Sequence, residues 1–172
     1  MQNLNGRRPG QGGDPNAILN GCRDVDSGID SIEQYLGQLR QLQQRSLDDT
    51  NVSAKSPTNQ ELERIGTETM ALYRNLTARV RNLKSQPDSG SPKNAPQVGK
   101  VDRRLKAVIS QYQTVERDFR KKLQVQQERQ YRIVRPDATD AEVREAVEDT
   151  SNQEIFSQAV SAKDREKSES LR

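Results

Sequence analysis

The segment from Val98 to Leu123 constrains the fold of this chain most strongly, because its apolar residues recur at alternating steps of four and three. They are Val101, Leu105, Val108, Tyr112, Val115 and Phe119. This spacing predicts a helix with one continuous apolar seam. The next heptad position adds a second row, formed by Ile109, Glu116 and Leu123. A helix that is apolar over more than a narrow seam needs two neighbouring helices.

The first of these neighbours follows Asp14-Pro15, a pair that predicts a helix start with Asp14 as the N-cap residue. Its seam consists of Ile18, Cys22, Val25, Ile29, Ile32, Leu36 and Leu39. Cys22 lies on the seam itself, so we interpret it as a small buried hydrophobic residue rather than a reactive thiol. Three glycines, Gly21, Gly28 and Gly37, interrupt this segment and weaken its intrinsic helix propensity.

The second neighbour is predicted to begin with Thr58 as N-cap and Glu61 as its capping-box partner. The seam of this helix contains Leu62, Ile65, Thr69, Leu72, Leu76 and Leu83, and a parallel row contains Gly66, Tyr73 and Val80. The connection from Ser85 to Gln97 holds three prolines and a glycine, which predicts a loop without regular structure.

Three such helices with short polar connections predict an all-α fold, an antiparallel up-down-up three-helix bundle. We expect the bundle over residues 14–134, with helices at about 15–46, 59–84 and 98–134. Residues 1–13 are predicted to be disordered. Residues 135–160 are predicted to form a linker with two short helices, opened by capping boxes at 139–142 and 151–154, before a polar tail at 161–172.

Composition argues against catalysis. The chain has no histidine and a single cysteine, and no Gly-rich phosphate loop, nucleophile elbow or metal-spaced cluster occurs in the sequence. We therefore predict that the protein is not an enzyme and has no cofactor and no metal. No apolar run reaches the length of a membrane span, so we expect a soluble polypeptide. The net charge is only +3 and aromatic residues are scarce, which argues against a nucleic-acid partner.

One face of the third predicted helix is basic. Arg103, Lys106, Arg117 and Arg120 occupy positions on the side away from the seam. Residues of this kind usually form a solvated face, and the alternative is a docking surface for an acidic protein or for anionic lipid. The sequence leaves both possibilities open.

Residues 14–160 resemble the plasma-membrane syntaxins of filamentous fungi. The similarity runs through DPNAILNGCRDVDSGIDSIEQYLGQLRQLQQRSLDD, and its most specific part is RQYRIVRPDATDAEVREAVED, at the end of the third helix and in the linker. In that family this region is the Habc domain, a regulatory bundle that precedes a SNARE helix and a membrane anchor. This chain ends at Arg172, where the SNARE motif of the family begins, so we expect it to be a fragment without that motif and anchor.

The resemblance implies regulation through a groove between the second and third helices, which receives the SNARE helix in a closed, autoinhibited state. Candidate groove residues are Tyr73, Val80, Ile109, Glu116 and Leu123. The alternative is that these side chains pack only within the bundle. The implied partners are the protein's own or a cognate SNARE helix, an SM-family regulator and exocyst subunits.

The resemblance also implies a location at the cytoplasmic face of the plasma membrane, reached only through the anchor. Because the three seams close on one another, we expect residues 14–134 to fold as a monomer. Two other functions remain open from the residues alone. One is a self-associating coiled-coil scaffold, and the other is an amphipathic protein of the membrane surface.

Overall fold

The computed structural model describes residues 13–49 and 56–149. These residues form three long helices, α1 (Ala17–Asp48), α2 (Pro57–Ser85) and α3 (Ala95–Val134), with a short 3-10 helix (Pro87–Gly90) before α3. Residues 140–149 are also helical, and no strand occurs in the described part of the chain. The predicted all-α class is confirmed. The chain divides into two compact units, residues 1–116 and 117–172.

In the first unit, α1 and α2 run antiparallel and approach closely. Gly21 near the start of α1 faces Leu83 near the end of α2, and Gly28 faces Leu76. Advancing by seven residues on α1 therefore means going back by seven on α2. The absence of a side chain at both glycines lets the two backbones come together, which explains why residues of poor helix propensity are present in α1.

The first part of α3 runs parallel to α1. The Lys93 ammonium group, just before α3, donates a hydrogen bond to the Asn16 side chain just before α1 at 2.9 Å. Five residues before the end of α1, the Gln43 amide donates to the Glu116 carboxylate at 3.2 Å. The two helices keep the same order along these contacts, so the bundle has the up-down-up arrangement expected from the sequence.

The core lies along the three seams. Every seam residue predicted for α1 is buried, and the seam continues one step further than predicted, to Gln43. The buried apolar cluster is formed by Ile18, Cys22, Val25, Ile29, Ile32, Leu36, Leu39, Ile65, Leu76, Val80, Val98, Val101, Leu105, Val108 and Val115. Burial of these aliphatic side chains provides the main stabilisation of the unit.

The N-caps predicted for α1 and α2 are both wrong. Helix α1 begins at Ala17 with Asn16 as N-cap, and the Asp14 carboxylate instead accepts a hydrogen bond from the Asn16 backbone N–H in the preceding turn. Helix α2 begins at Pro57, and its N-cap is Ser56, whose hydroxyl accepts from the Asn59 backbone N–H. Proline is favoured at the first helical position, where its missing backbone N–H needs no partner. The helix therefore has its N-cap at Ser56, two residues before the predicted N-cap Thr58.

The connection between α2 and α3 is shorter and more regular than predicted. Helix α2 extends to Ser85, a 3-10 turn covers Pro87–Gly90, and α3 begins at Ala95. Pro96 is tolerated because the first turn of a helix leaves its backbone N–H groups without intrahelical partners. Asn94 is buried, and its amide donates a hydrogen bond to the Asp88 carbonyl at 3.1 Å, which ties the start of α3 to the 3-10 turn.

The second unit contains the last turns of α3 and the 140–149 helix. The Thr139 hydroxyl accepts a hydrogen bond from the Glu142 backbone N–H at 3.2 Å, as expected for the first of the two predicted capping motifs. The second predicted linker helix, the predicted polar tail and, except for Gly13, the segment at residues 1–13 that was predicted to be disordered lie outside the described residues.

Candidate functional site

An ion pair joins α2 and α3 at the surface between them. The Lys84 ammonium group of α2 lies 2.8 Å from the Asp102 carboxylate of α3. The Lys106 ammonium group, one turn further along α3, also reaches Asp102 at 3.0 Å. The hydrogen bond from Lys84, followed by that from Lys106, lowers the pKa of Asp102 below the usual range. The carboxylate is therefore ionised at neutral pH and joins the two helices at this point.

Heptad spacing extends this contact along both helices. Met70 and Thr77 precede Lys84 by fourteen and seven residues, and Ile109 follows Asp102 by seven. Because side chains seven residues apart lie on the same side of a helix, these residues line the same α2–α3 surface. All three are half-buried. Tyr112 supports the antiparallel direction of α2 and α3, since its hydroxyl lies 3.5 Å from the position that a Cβ would take at Gly66, earlier in α2 than Lys84.

We call this strip the α2–α3 surface and define it by Met70, Tyr73, Thr77 and Ile109, with the Lys84–Asp102 pair at one end. Tyr73 is half-buried and packs against the core cluster. The strip offers partly exposed aliphatic and aromatic area beside a pair of opposite charges. Such a surface can accept the apolar ridge of an amphipathic helix, with the charges restricting its orientation.

The five predicted groove residues differ in burial and in their contacts. Tyr73 and Ile109 are half-buried, as a groove requires. Val80 is a correction, because it is only 4% exposed and belongs to the core cluster. It follows the buried Leu76 by four residues, so both point to the same interior face of α2.

Glu116 belongs to the first unit and Leu123 to the second. The Glu116 carboxylate accepts a hydrogen bond from Gln43, so it contacts α1. Gln43 is itself buried, and the pair forms a polar layer within the seam. Leu123 is half-buried in the second unit, and its part in a groove stays a prediction.

The predicted basic face contains four exposed residues. The Lys106 ammonium group forms an ion pair with the Asp102 carboxylate. The Arg103 guanidinium lies beside Gly99, and one of its nitrogens is 3.1 Å from the position that a Cβ would take there. Arg117 and Arg120 are exposed in the second unit. Lys106 thus has an ion-pair partner, and the role of this face as a docking surface stays a prediction.

Sequence reasoning missed a charged contact in which one arginine of α3 meets three carboxylates of α1. The Arg104 guanidinium lies 3.0 Å from the Asp26 carboxylate, 2.5 Å from Asp30 and 3.3 Å from Glu33, all on α1. Hydrogen bonds to Asp30 and then Asp26 raise the pKa of Arg104. Carboxylates at steps of four and three beside the α1 seam were the signal that predicts a basic partner at this position.

The described residues hold no arrangement typical of catalysis or metal binding. No group of three or more cysteine or carboxylate side chains in these ranges is placed to hold a metal ion. Cys22 is buried, and this burial, with the nearby charge of Asp26, raises the pKa of its thiol. A buried thiol with a raised pKa is a poor nucleophile. Among the described helices, none is long and apolar enough to cross a membrane.

The comparisons with known proteins agree with one another on the family. The family model described as syntaxin matches residues 16–160. The chain is 28% identical over 151 residues to the protein transport protein SSO2 of Candida albicans, covering 86% of this chain and 51% of that protein. It is 26% identical over 150 residues to protein SSO1 of Saccharomyces cerevisiae, covering 87% and 51%.

A third relative is the syntaxin-like protein psy1 of Schizosaccharomyces pombe, 24% identical over 141 residues, with 79% of this chain and 50% of that protein covered. The chain thus spans about half the length of the curated relatives that it matches. The resemblance inferred from the sequence is confirmed.

Proposed function

This chain belongs to the syntaxin family, and we propose that it acts as the regulatory N-terminal part of a plasma-membrane syntaxin, controlling SNARE assembly during vesicle fusion. The proposed mechanism is autoinhibition: the α2–α3 surface holds the SNARE helix of the same or a cognate protein in a closed state. A SNARE helix held in this way cannot join a four-helix SNARE complex. SM-family regulators and exocyst subunits are the proposed partners that bias this equilibrium.

The observation that carries the proposal is the half-buried state of Ile109 and Tyr73 on adjoining helices. The core of the first unit is closed by residues such as Leu105 and Val108, which are almost fully buried. Apolar area beyond that core, placed along the α2–α3 junction, is area that a partner helix can cover. Covering it removes apolar surface from water at about 25 cal/mol per Å².

The charged end of the surface supports an orientation for the bound helix. Asp102 is shared by Lys84 and Lys106, so the group carries an excess positive charge. A partner helix with a carboxylate near this end gains attraction, and one with a lysine there is repelled. The surface therefore favours one direction of an amphipathic helix with an acidic residue at one end of its apolar ridge.

The direct test is a binding titration with a fluorescently labelled SNARE helix from a related fungal syntaxin. We expect saturable one-to-one binding by the full chain, and no binding of a peptide with the same composition in scrambled order. Sedimentation equilibrium of the chain alone should give a monomer. A stable dimer that does not bind the helix would favour the self-associating scaffold instead.

A further inference from the structure

The second unit joins two segments of opposite charge. Residues 117–135, the last turns of α3 and the residue after it, contain seven basic and two acidic side chains, a net charge of +5. Residues 140–149 contain five acidic side chains and one arginine, a net charge of −4. Four residues separate the segments, so the short helix remains close to the basic segment from which it emerges.

One ion pair joins the two segments directly. The Arg132 guanidinium in the last turn of α3 lies 2.5 Å from the Asp140 carboxylate at the start of the 140–149 helix. The turn between them is closed by the Ala138 backbone N–H, which donates to the Arg135 carbonyl at 3.1 Å. The chain therefore reverses just after Pro136, where a proline ends the helical pattern.

The short helix also buries an apolar edge. Val143 and Val147 are four residues apart and only 1% and 6% exposed. Side chains at this spacing lie on one face of a helix. The carboxylates of Asp140, Glu142 and Glu145 are exposed around that face. A helix of ten residues is too short to be stable alone in water, so its two buried valines show that it is held by packing.

The α3 segment of this unit still has apolar area in contact with solvent. Val125, Ile133 and Val134 are 47%, 79% and 77% exposed. The basic segment therefore has aliphatic surface as well as positive charge available for a further contact. A surface with both properties complements an acidic amphipathic helix.

We propose that the 140–149 helix is a displaceable acidic clasp on the basic C-terminal part of α3, and that this part of α3 is a docking surface for an acidic amphipathic helix of a partner protein. The composition of the clasp indicates what the partner helix should carry: two aliphatic side chains four residues apart, surrounded by carboxylates. A partner helix that also covers Ile133 and Val134 gains apolar contact area that is still exposed when the clasp is bound. Binding of the partner displaces the 140–149 helix and so releases the linker. This release couples the docking surface to the chain that follows the linker.

The proposal is independent of the α2–α3 surface, because it concerns only residues after Arg117. Its test uses the full chain and a fluorescein-labelled synthetic peptide with the sequence DATDAEVREAVEDT, that of residues 137–150. The variant Val143→Ser/Val147→Ser loosens the clasp and leaves α3 unchanged. The control peptide has the same composition in an order that separates the two valines by five residues.

We expect the variant to bind the labelled peptide at least tenfold more tightly than the unaltered chain does, with affinity falling as salt is raised. Adding Arg132→Glu to the variant should abolish this binding. If the serine variant loses its helical circular dichroism, Asp140→Lys replaces it, because that change removes the ion pair but keeps both valines.

Three outcomes would overturn the proposal. The loosened variant could fail to bind the peptide, it could bind the scrambled peptide equally well, or the unaltered chain could bind as tightly as the variant. Vesicles containing phosphatidylserine provide the comparison with lipid. Binding of the loosened variant to these vesicles but not to the peptide would assign the surface to anionic lipid, and the acidic-helix proposal would be wrong.

Discussion

Gly28 of α1 faces Leu76 of α2 so closely that a Cβ atom at position 28 would lie 2.5 Å from Leu76 Cδ2. Leu76 is almost fully buried, so its side chain has no space into which it can move. The glycine is therefore required by the separation of two helices, although it reduces the helix propensity of α1.

Gly28→Ala should destabilise the bundle by about 1–3 kcal/mol, the usual cost of overpacking a core. Gly37→Ala is the matched control in the same helix, because an added Cβ there meets nothing within 4 Å. This second change should stabilise the protein by up to about 1 kcal/mol. Urea unfolding followed by circular dichroism measures both. Equal and stabilising effects of the two changes would show that the helices do not approach as described.

A second prediction concerns Arg104. Arg104→Gln should lower stability by about 1 kcal/mol at low salt, because three carboxylates of α1 lose a common partner and repel one another. The loss should decrease as salt is raised, since the group is partly exposed and its charges are screened. Arg103→Gln, on the adjacent exposed position, is the control and should have no measurable effect. A loss that does not depend on salt would indicate a packing role instead.

The polar layer formed by Gln43 and Glu116 gives a third prediction. Gln43→Leu alone should destabilise the bundle by about 1–2 kcal/mol, because the Glu116 carboxylate loses a donor in a partly buried site. The double change Gln43→Leu/Glu116→Leu should recover most of that stability, since both polar groups are then removed from the seam. A double-mutant cycle in urea measures the coupling. Strictly additive effects would mean that the two side chains do not interact in solution.

Cys22 provides a chemical test of the α1 seam. The native thiol should react with a disulfide reagent at least a hundredfold more slowly than the unfolded chain, because burial blocks access and raises its pKa. Because the pKa of the native thiol is raised, its thiolate fraction should increase at a higher pH than that of the unfolded chain. Labelling at the same rate with and without urea would place Cys22 on the surface and contradict the assigned seam.

The sequence predicted the fold well because heptad spacing records which face of each helix is buried. The seam of α1 was predicted residue by residue, and only Gln43 was missed, because a polar side chain does not register in a count of apolar positions. The start of α2 was misplaced for a similar reason. Thr58 and Glu61 matched a capping pattern, whereas Ser56-Pro57 was the pair that the structure uses.

The candidate site was less accessible to sequence reasoning. Periodicity gives the angular position of a residue on its own helix, but the depth of that residue depends on the distance to the neighbouring helices. Val80 and Tyr73 occupy the same heptad row, yet Val80 is buried and Tyr73 is half-buried. Glu116 and Ile109 likewise share a row, and Glu116 reaches a glutamine on α1. A pattern within one helix contains no information about that partner.

The central claim is that the α2–α3 surface binds a SNARE helix, and one pair of variants tests it most directly. Ile109→Glu places a charge on the surface, while Ser110→Glu adds the same charge at the next, exposed position of α3. Both variants should keep the helical circular dichroism and the urea midpoint of the unaltered chain within experimental error. Only Ile109→Glu should weaken binding of the labelled SNARE helix, by tenfold or more, because the apolar ridge of that helix would meet a charge that must be desolvated. Equal affinities for the two variants, or unfolding of Ile109→Glu, would contradict the account.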